Sequence, residues 1–127
     1  MLQIGYVLSG LIAAAIMFLG ARFWVAPAAA SSGFGIAGSP ALSKGFTAWL
    51  SVKGTRDIAS GIFVIILMTN GSPRVLGEFL LAASLIAFGD MATVLRSGGS
   101  RALAFGMHGL TGLVIVATGA CLIVGAK

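Results

Sequence analysis

Four long apolar segments constrain this sequence more than any other feature. They cover residues 4–21, 58–73, 75–95 and 102–126, and their only charged residues are Glu78 and Asp90. A helix that crosses the hydrocarbon layer of a membrane needs about 20 mostly apolar residues. The segments therefore predict four crossings, and hence an all-α integral membrane protein built as a four-helix bundle.

The low charge of the chain argues against a soluble protein. Its 127 residues are 58% hydrophobic and only 9% charged, whereas a typical soluble domain is about 25% charged. The net charge of +5 could indicate a nucleic-acid partner, but no patch of interleaved basic and aromatic residues supports one. We expect the lipid bilayer to be the main partner, and no nucleic acid.

Turn signals divide the chain into helices within one transmembrane domain, residues 1–127. The predicted helices cover about 3–25, 55–69, 74–96 and 101–124. Pro27 is expected to stop the first helix, and an Ala-, Gly- and Ser-rich connection follows at 28–40. Because the turns at 70–73 and 97–100 are short, the helices that they join are expected to be antiparallel neighbours.

Residues 41–53 differ from the rest of this connection. Apolar residues there alternate with Ser, Thr and Lys, and most of the apolar set falls on one helical face. The segment could be a short interfacial helix that lies in the headgroup layer. It could equally be the beginning of a long second helix, since Gly54 is either a break or only a small residue. The sequence leaves both possibilities open.

Basic residues are distributed unequally between the two ends of the predicted bundle. The end with the 1–2 connection and the 3–4 turn carries Arg22, Lys44, Lys53, Arg56, Arg96 and Arg101. The end with both termini carries only Arg74 and Lys127. Cytoplasmic loops are enriched in Lys and Arg. This asymmetry predicts a multi-pass protein of the inner cell membrane, with both connections cytoplasmic and both termini outside.

Five polar residues are predicted to lie in one layer near the cytoplasmic end: Arg22, Arg56, Asp57, Asp90 and His108. Asp90 is six residues before Arg96, which places it ~9 Å inside that end at ~1.5 Å per residue. His108 is seven residues after Arg101, or ~10 Å inside. A charge within the bilayer costs at least ~2.5–3.5 kcal/mol, so the acids and His108 should face inward, with Arg22 or Arg56 as the partner of Asp90.

Such a layer suggests a polar pocket that binds a lipophilic small molecule. Asp57, Asp90 and His108 would be candidate catalytic residues for acid–base chemistry, such as epoxide opening or isomerisation. Arg22 and Arg56 would bind the ligand or orient the acids. Two alternatives remain: a structural or partner subunit whose ion pairs only fix helix packing, and a transporter that works as a homo-oligomer. We expect no cofactor and no metal, because no spacing matches a ligand motif.

Several short motifs resemble a known family. They are GARFWVAP at 20–27, KGTRDIASG at 53–61, FGDMATVL at 88–95 and MHG at 107–109. The sequence resembles a family of small four-helix integral membrane proteins of unknown function, and more distantly the DoxX-like membrane proteins. The resemblance implies that Arg22, Arg56, Asp57, Asp90 and His108 are the family's polar positions. Some fungal relatives accompany polyketide or terpenoid pathways, which implies a lipophilic substrate.

Overall fold

The computed structural model describes residues 1–38 and 41–127, and every regular element in these residues is a helix. The helices are α1 Leu2–Val25, α2 Pro27–Phe34, α3 Lys44–Asn70, α4 Pro73–Arg96 and α5 Arg101–Gly125. The prediction of an all-α fold is confirmed. The prediction of four helices is wrong, because a short fifth helix, α2, lies in the connection after α1.

Pro27 starts this extra helix rather than only ending the first. It is the first residue of α2, a position where its missing N–H and fixed φ are favourable. The alanines that follow are the best helix formers. Gly35 ends α2 with φ +94°, a left-handed conformation that favours glycine. Pro27 was predicted from the sequence only to stop α1, and its second role as the start of α2 was not predicted.

Helix α3 is continuous from Lys44 to Asn70. Ser43 caps its beginning, because its side chain accepts a hydrogen bond from the Phe46 N–H at 3.2 Å. Gly54 does not interrupt the helix. The described residues therefore contain no separate interfacial helix at 41–53. Instead, Lys44–Asn70 is one long helix, which was the second possibility.

Among the described residues, three helices are long and apolar enough to cross a membrane: α1, α4 and α5. Their number and composition indicate a membrane protein. Helix α3 is not among them, since its uncharged part begins only after Asp57 and is shorter than the about 20 residues of a typical crossing.

The helices form two closely packed pairs, α1 with α3 and α4 with α5. A Cβ added at Gly20 would lie 2.6 Å from the carbonyl oxygen of Gly54, and one added at Gly77 would lie 2.7 Å from that of Gly119. Small residues let the backbones of membrane helices approach closely. Glycines at these two crossings therefore make each pair compact.

Contacts at the two ends define the direction of the helices. At one end, Leu2 and Gly125 are neighbours, so both termini lie together. At the other end, the Ser100 N–H donates to the Gly35 carbonyl at 3.1 Å, which joins α2 to the turn between α4 and α5. Near the end that holds the termini, the core contains the buried side chains Leu76, Leu80 and Leu122.

Candidate functional site

A cavity of about 560 Å³ lies between the two helix pairs. Apolar side chains from α1, α3, α4 and α5 form most of its wall. Its charged and titratable wall residues are Arg22, Lys53, Asp57, Asp90 and His108. Asp57 and His108 are buried, at 6% and 7% exposure. The cavity thus combines a large apolar surface with a small cluster of charges.

Lys53 is at the centre of this cluster. Its Nζ lies 3.2 Å from Asp57 Oδ1 and 3.0 Å from Oδ2, so it donates to both oxygens of a carboxylate one turn away on the same helix. It also lies 3.8 Å from Asp90 Oδ2 on α4, which is an ion pair but too long for a hydrogen bond. One ammonium group therefore links α3 to α4.

Two aromatic rings also contact the Lys53 ammonium. Its Nζ is 5.3 Å from the centroid of Phe23 on α1 and 5.2 Å from that of Phe34 on α2. Ring faces attract cations within about 6 Å. Lys53 is therefore held by groups from α1, α2, α3 and α4, which makes it the most highly connected side chain of the site.

His108 approaches the cavity from α5. It lies in a π-helical segment, Ala104–Gly109, inside an otherwise α-helical element. Such segments are rare and are often found at functional sites. Its Nε2 is 3.0 Å from the Phe34 carbonyl oxygen. A carbonyl can only accept, so Nε2 carries the proton and donates it, which leaves Nδ1 available in the neutral ring.

Phe34 also packs against this imidazole, with the ring centroids 4.5 Å apart. Because Phe34 is the last residue of α2, its carbonyl has no partner within the helix. The contact with His108 satisfies that carbonyl and ties the end of α2 to α5.

The two arginines are placed differently from each other. Arg22 is half-buried on the cavity wall, and within the part of the chain that the structure describes its side chain has no hydrogen bond or ion pair. Arg56 is exposed and does not line the cavity. The expectation that Arg22 or Arg56 would pair with Asp90 is wrong, because the cation beside Asp90 is Lys53.

A smaller cavity of about 220 Å³ adjoins the first. Lys53, Phe23, Phe34 and Asp90 line both cavities. This group therefore forms a partition between the large apolar cavity and a small pocket near α2.

One family model matches residues 13–122. It is the model of DUF4267, which is described as a domain of unknown function. The match covers most of the chain and contains all five predicted polar positions, Arg22, Arg56, Asp57, Asp90 and His108. The protein belongs to the DUF4267 family. No curated protein and no solved structure matches the sequence. The more distant resemblance to DoxX-like proteins is not addressed by this match and stays a prediction.

In this DUF4267 protein, Lys53 was not among the site residues predicted from the sequence. A signal was present, because Lys53 and Asp57 are four residues apart and such pairs meet on one helix face. The signal was lost when a possible helix break was placed at Gly54. Phe34 could not have been found in this way, since its role depends on an α2 that was not predicted.

The titratable side chains at this cavity wall differ in whether their hydrogen-bonding atoms already have partners. Among the described residues, no group of three His, Cys, Asp or Glu side chains is placed to hold a metal ion. Lys53 occupies both oxygens of Asp57, whereas Asp90 has no hydrogen bond within the described chain. Asp90 and His108 are therefore the titratable cavity-lining residues with a side-chain acceptor atom that has no hydrogen bond within the described chain.

Proposed function

We propose that this protein binds a lipophilic small molecule in the 560 Å³ cavity. The observation that carries the proposal is the cavity itself, whose wall is mostly apolar and whose charges are grouped around Lys53. Ligand pockets are commonly about 300–1,000 Å³ and apolar with a few well-placed polar groups. The cavity agrees with both properties.

The proposed location of this site is near the cytoplasmic face of the inner membrane. Arg22, Lys44 and Arg101 belong to the end that holds α2 and the α4–α5 turn, and both termini belong to the opposite end. The excess of basic residues at the first end favours a cytoplasmic location for it. The bound molecule would then have its polar part close to the cytoplasm.

The proposed chemistry is proton transfer between the bound molecule and the pair Asp90 and His108. Asp57 has a positioning role, because its two oxygens hold Lys53 in place. Lys53 would stabilise negative charge that develops on the molecule. Isomerisation and epoxide opening are reactions that this set of groups can serve.

Native mass spectrometry with a matched pair of variants tests binding. Ala83 lines the cavity, whereas the adjacent Ala82 is exposed and does not. In Ala83→Phe the larger side chain should fill part of the cavity and remove a molecule that co-purifies with the wild type. Ala82→Phe should retain it. Equal retention by both variants, or no bound molecule in the wild type, would contradict the proposal.

Incubation in deuterated water tests the chemistry. Isomerisation by proton transfer should introduce deuterium at a carbon atom of the bound molecule, and hydrolytic epoxide opening should add the elements of D2O. Asp90→Asn should prevent either change while the molecule stays bound. Mass changes that persist in Asp90→Asn would exclude Asp90 from the reaction.

The Lys53 ion pairs support a second function, that of a structural subunit. A cation shared by α3 and α4 can fix helix packing without any ligand. In that case, the wild-type protein should carry no bound molecule, and Ala83→Phe should differ from Ala82→Phe only in stability.

A further inference from the structure

The cavity is elongated along α1. The α1 residues that line it recur every three or four positions from Leu8 through Ile12, Ile16 and Leu19 to Arg22. This spacing places them on one face of the helix. At ~1.5 Å per residue the stripe is about 21 Å long, with an apolar side chain at one end and a guanidinium group at the other. Its shape and polarity match one alkyl chain with one polar head.

The side of the cavity is open along its apolar part. Leu11 and Leu19 of α1 and Leu110 of α5 line the cavity, yet they are 62%, 42% and 57% exposed. Both helices are long and apolar enough to cross a membrane, and in such a crossing these positions would lie at the depth of the hydrocarbon. A chain bound in the cavity would therefore be continuous with the acyl region of the bilayer.

The charges at the polar end determine which head group fits. Lys53 already contacts Asp57 and lies beside Asp90. Arg22 is the cavity-lining cation without an ion pair in the described chain. A guanidinium group binds a carboxylate through two parallel hydrogen bonds. Because Arg22 offers a single unpaired positive charge, a singly charged carboxylate suits it better than a doubly charged phosphate.

We infer that the lipophilic molecule is a long-chain carboxylic acid, with its carboxylate on Arg22 and its chain along α1. This inference rests on the proposed function and adds the class of ligand to it. The binding step forms no covalent bond. Arg22 is a ligand-binding residue in this arrangement, and Asp90 and His108 lie on the same cavity wall.

Photo-crosslinking in lipid nanodiscs tests the inference. The probe is hexadecanoate with a diazirine at the end of its chain, and unlabelled hexadecanoate or hexadecanol competes for the site. A charge-assisted pair contributes enough for about a tenfold preference. Hexadecanoate should therefore compete at about tenfold lower concentration than hexadecanol in the wild type.

Two arginine variants provide the decisive comparison. Arg22→Gln should abolish the preference for the acid over the alcohol, and Arg22→Lys, which keeps the charge, should retain part of it. Arg56→Gln should leave the preference unchanged, since Arg56 is exposed and lies off the cavity wall. A tenfold preference that survives in Arg22→Gln would overturn the assignment of the carboxylate to this residue.

The outcomes separate this inference from the proposed function. If acid and alcohol compete equally and Ala83→Phe abolishes saturable labelling by the probe, the cavity binds lipophilic molecules but has no preference for acids. In that case the inference is wrong and the proposed function stands. If labelling is not saturable and is the same in Ala83→Phe and Ala82→Phe, both are wrong.

Discussion

Lys53 and Asp57 form a two-pronged ion pair on one face of α3, with Nζ 3.2 and 3.0 Å from the two carboxylate oxygens. The carboxylate is the more buried partner, since the side-chain exposures are 30% for Lys53 and 9% for Asp57. A buried carboxylate that loses its cation is costly. The pair is thus expected to matter for stability as well as for the charge of the cavity.

Lys53→Met should lower the free energy of unfolding by about 1–3 kcal/mol, because Asp57 then remains buried without its cation. The change is measured by unfolding the purified protein in mixed micelles that contain an increasing fraction of a denaturing detergent. Lys44→Met, at the exposed start of the same helix, is the control and should have little effect. The double variant with Asp57→Leu should recover much of the loss; no recovery would mean that the pair does not act as a unit.

Asp57→Asn and Asp90→Asn should have unequal effects on stability. Asp57 accepts two hydrogen bonds from Lys53, whereas Asp90 is 3.8 Å from the same Nζ. We expect a loss of about 1–3 kcal/mol for the first variant and less than about 1 kcal/mol for the second. Thermal unfolding in detergent measures the stability of both variants relative to the wild type. A larger loss for Asp90→Asn would reverse the roles assigned to the two acids.

Gly20→Ala should destabilise the pairing of α1 and α3. The added methyl group would lie 2.6 Å from the backbone oxygen of Gly54, which cannot rotate away. Overpacking of this kind costs about 1–3 kcal/mol. Gly10→Ala, on the same helix, meets only Met68 at 3.6 Å and should be neutral or stabilising. Similar detergent unfolding curves for the two variants would contradict the close crossing at Gly20.

His108→Phe should loosen α2 while leaving the long helices intact. The variant keeps a ring beside Phe34 but removes the N–H that reaches the Phe34 carbonyl, 3.0 Å away. Amide hydrogen exchange should then become faster within Pro27–Phe34, because the end of α2 is no longer held. Exchange in α4 provides the internal reference. Unchanged exchange in α2 would show that ring packing alone is enough to hold it.

The sequence was most informative where the apolar segments are long and their ends are marked by turn residues. The predicted 74–96 and 101–124 differ from Pro73–Arg96 and Arg101–Gly125 by one residue at an end. Counting residues from Arg96 and Arg101 predicted similar depths in the membrane for Asp90 and His108. Both residues line the same cavity.

Tertiary contacts explain what the sequence did not reveal. Gly54 has the propensity of a helix breaker, but its close contact with Gly20 provides a reason for a glycine inside a helix. Because α3 is continuous, Lys53 faces the cavity and Arg56 faces outward. Both residues are basic, so residue type alone does not show which of them faces the cavity. The π-helical segment around His108 has no recognisable sequence signal.

The charged beginning of α3 has a consequence for the surrounding lipid. Its uncharged run, residues 58–70, measures about 20 Å at ~1.5 Å per residue, whereas a typical hydrocarbon layer is about 30 Å thick. Its neighbour α1 is a full-length apolar helix. A bilayer accommodates a short apolar helix by local thinning or by snorkelling of the flanking residues. We therefore expect hydrophobic mismatch on the α3 side alone, and hence a preference of the protein for thin membranes.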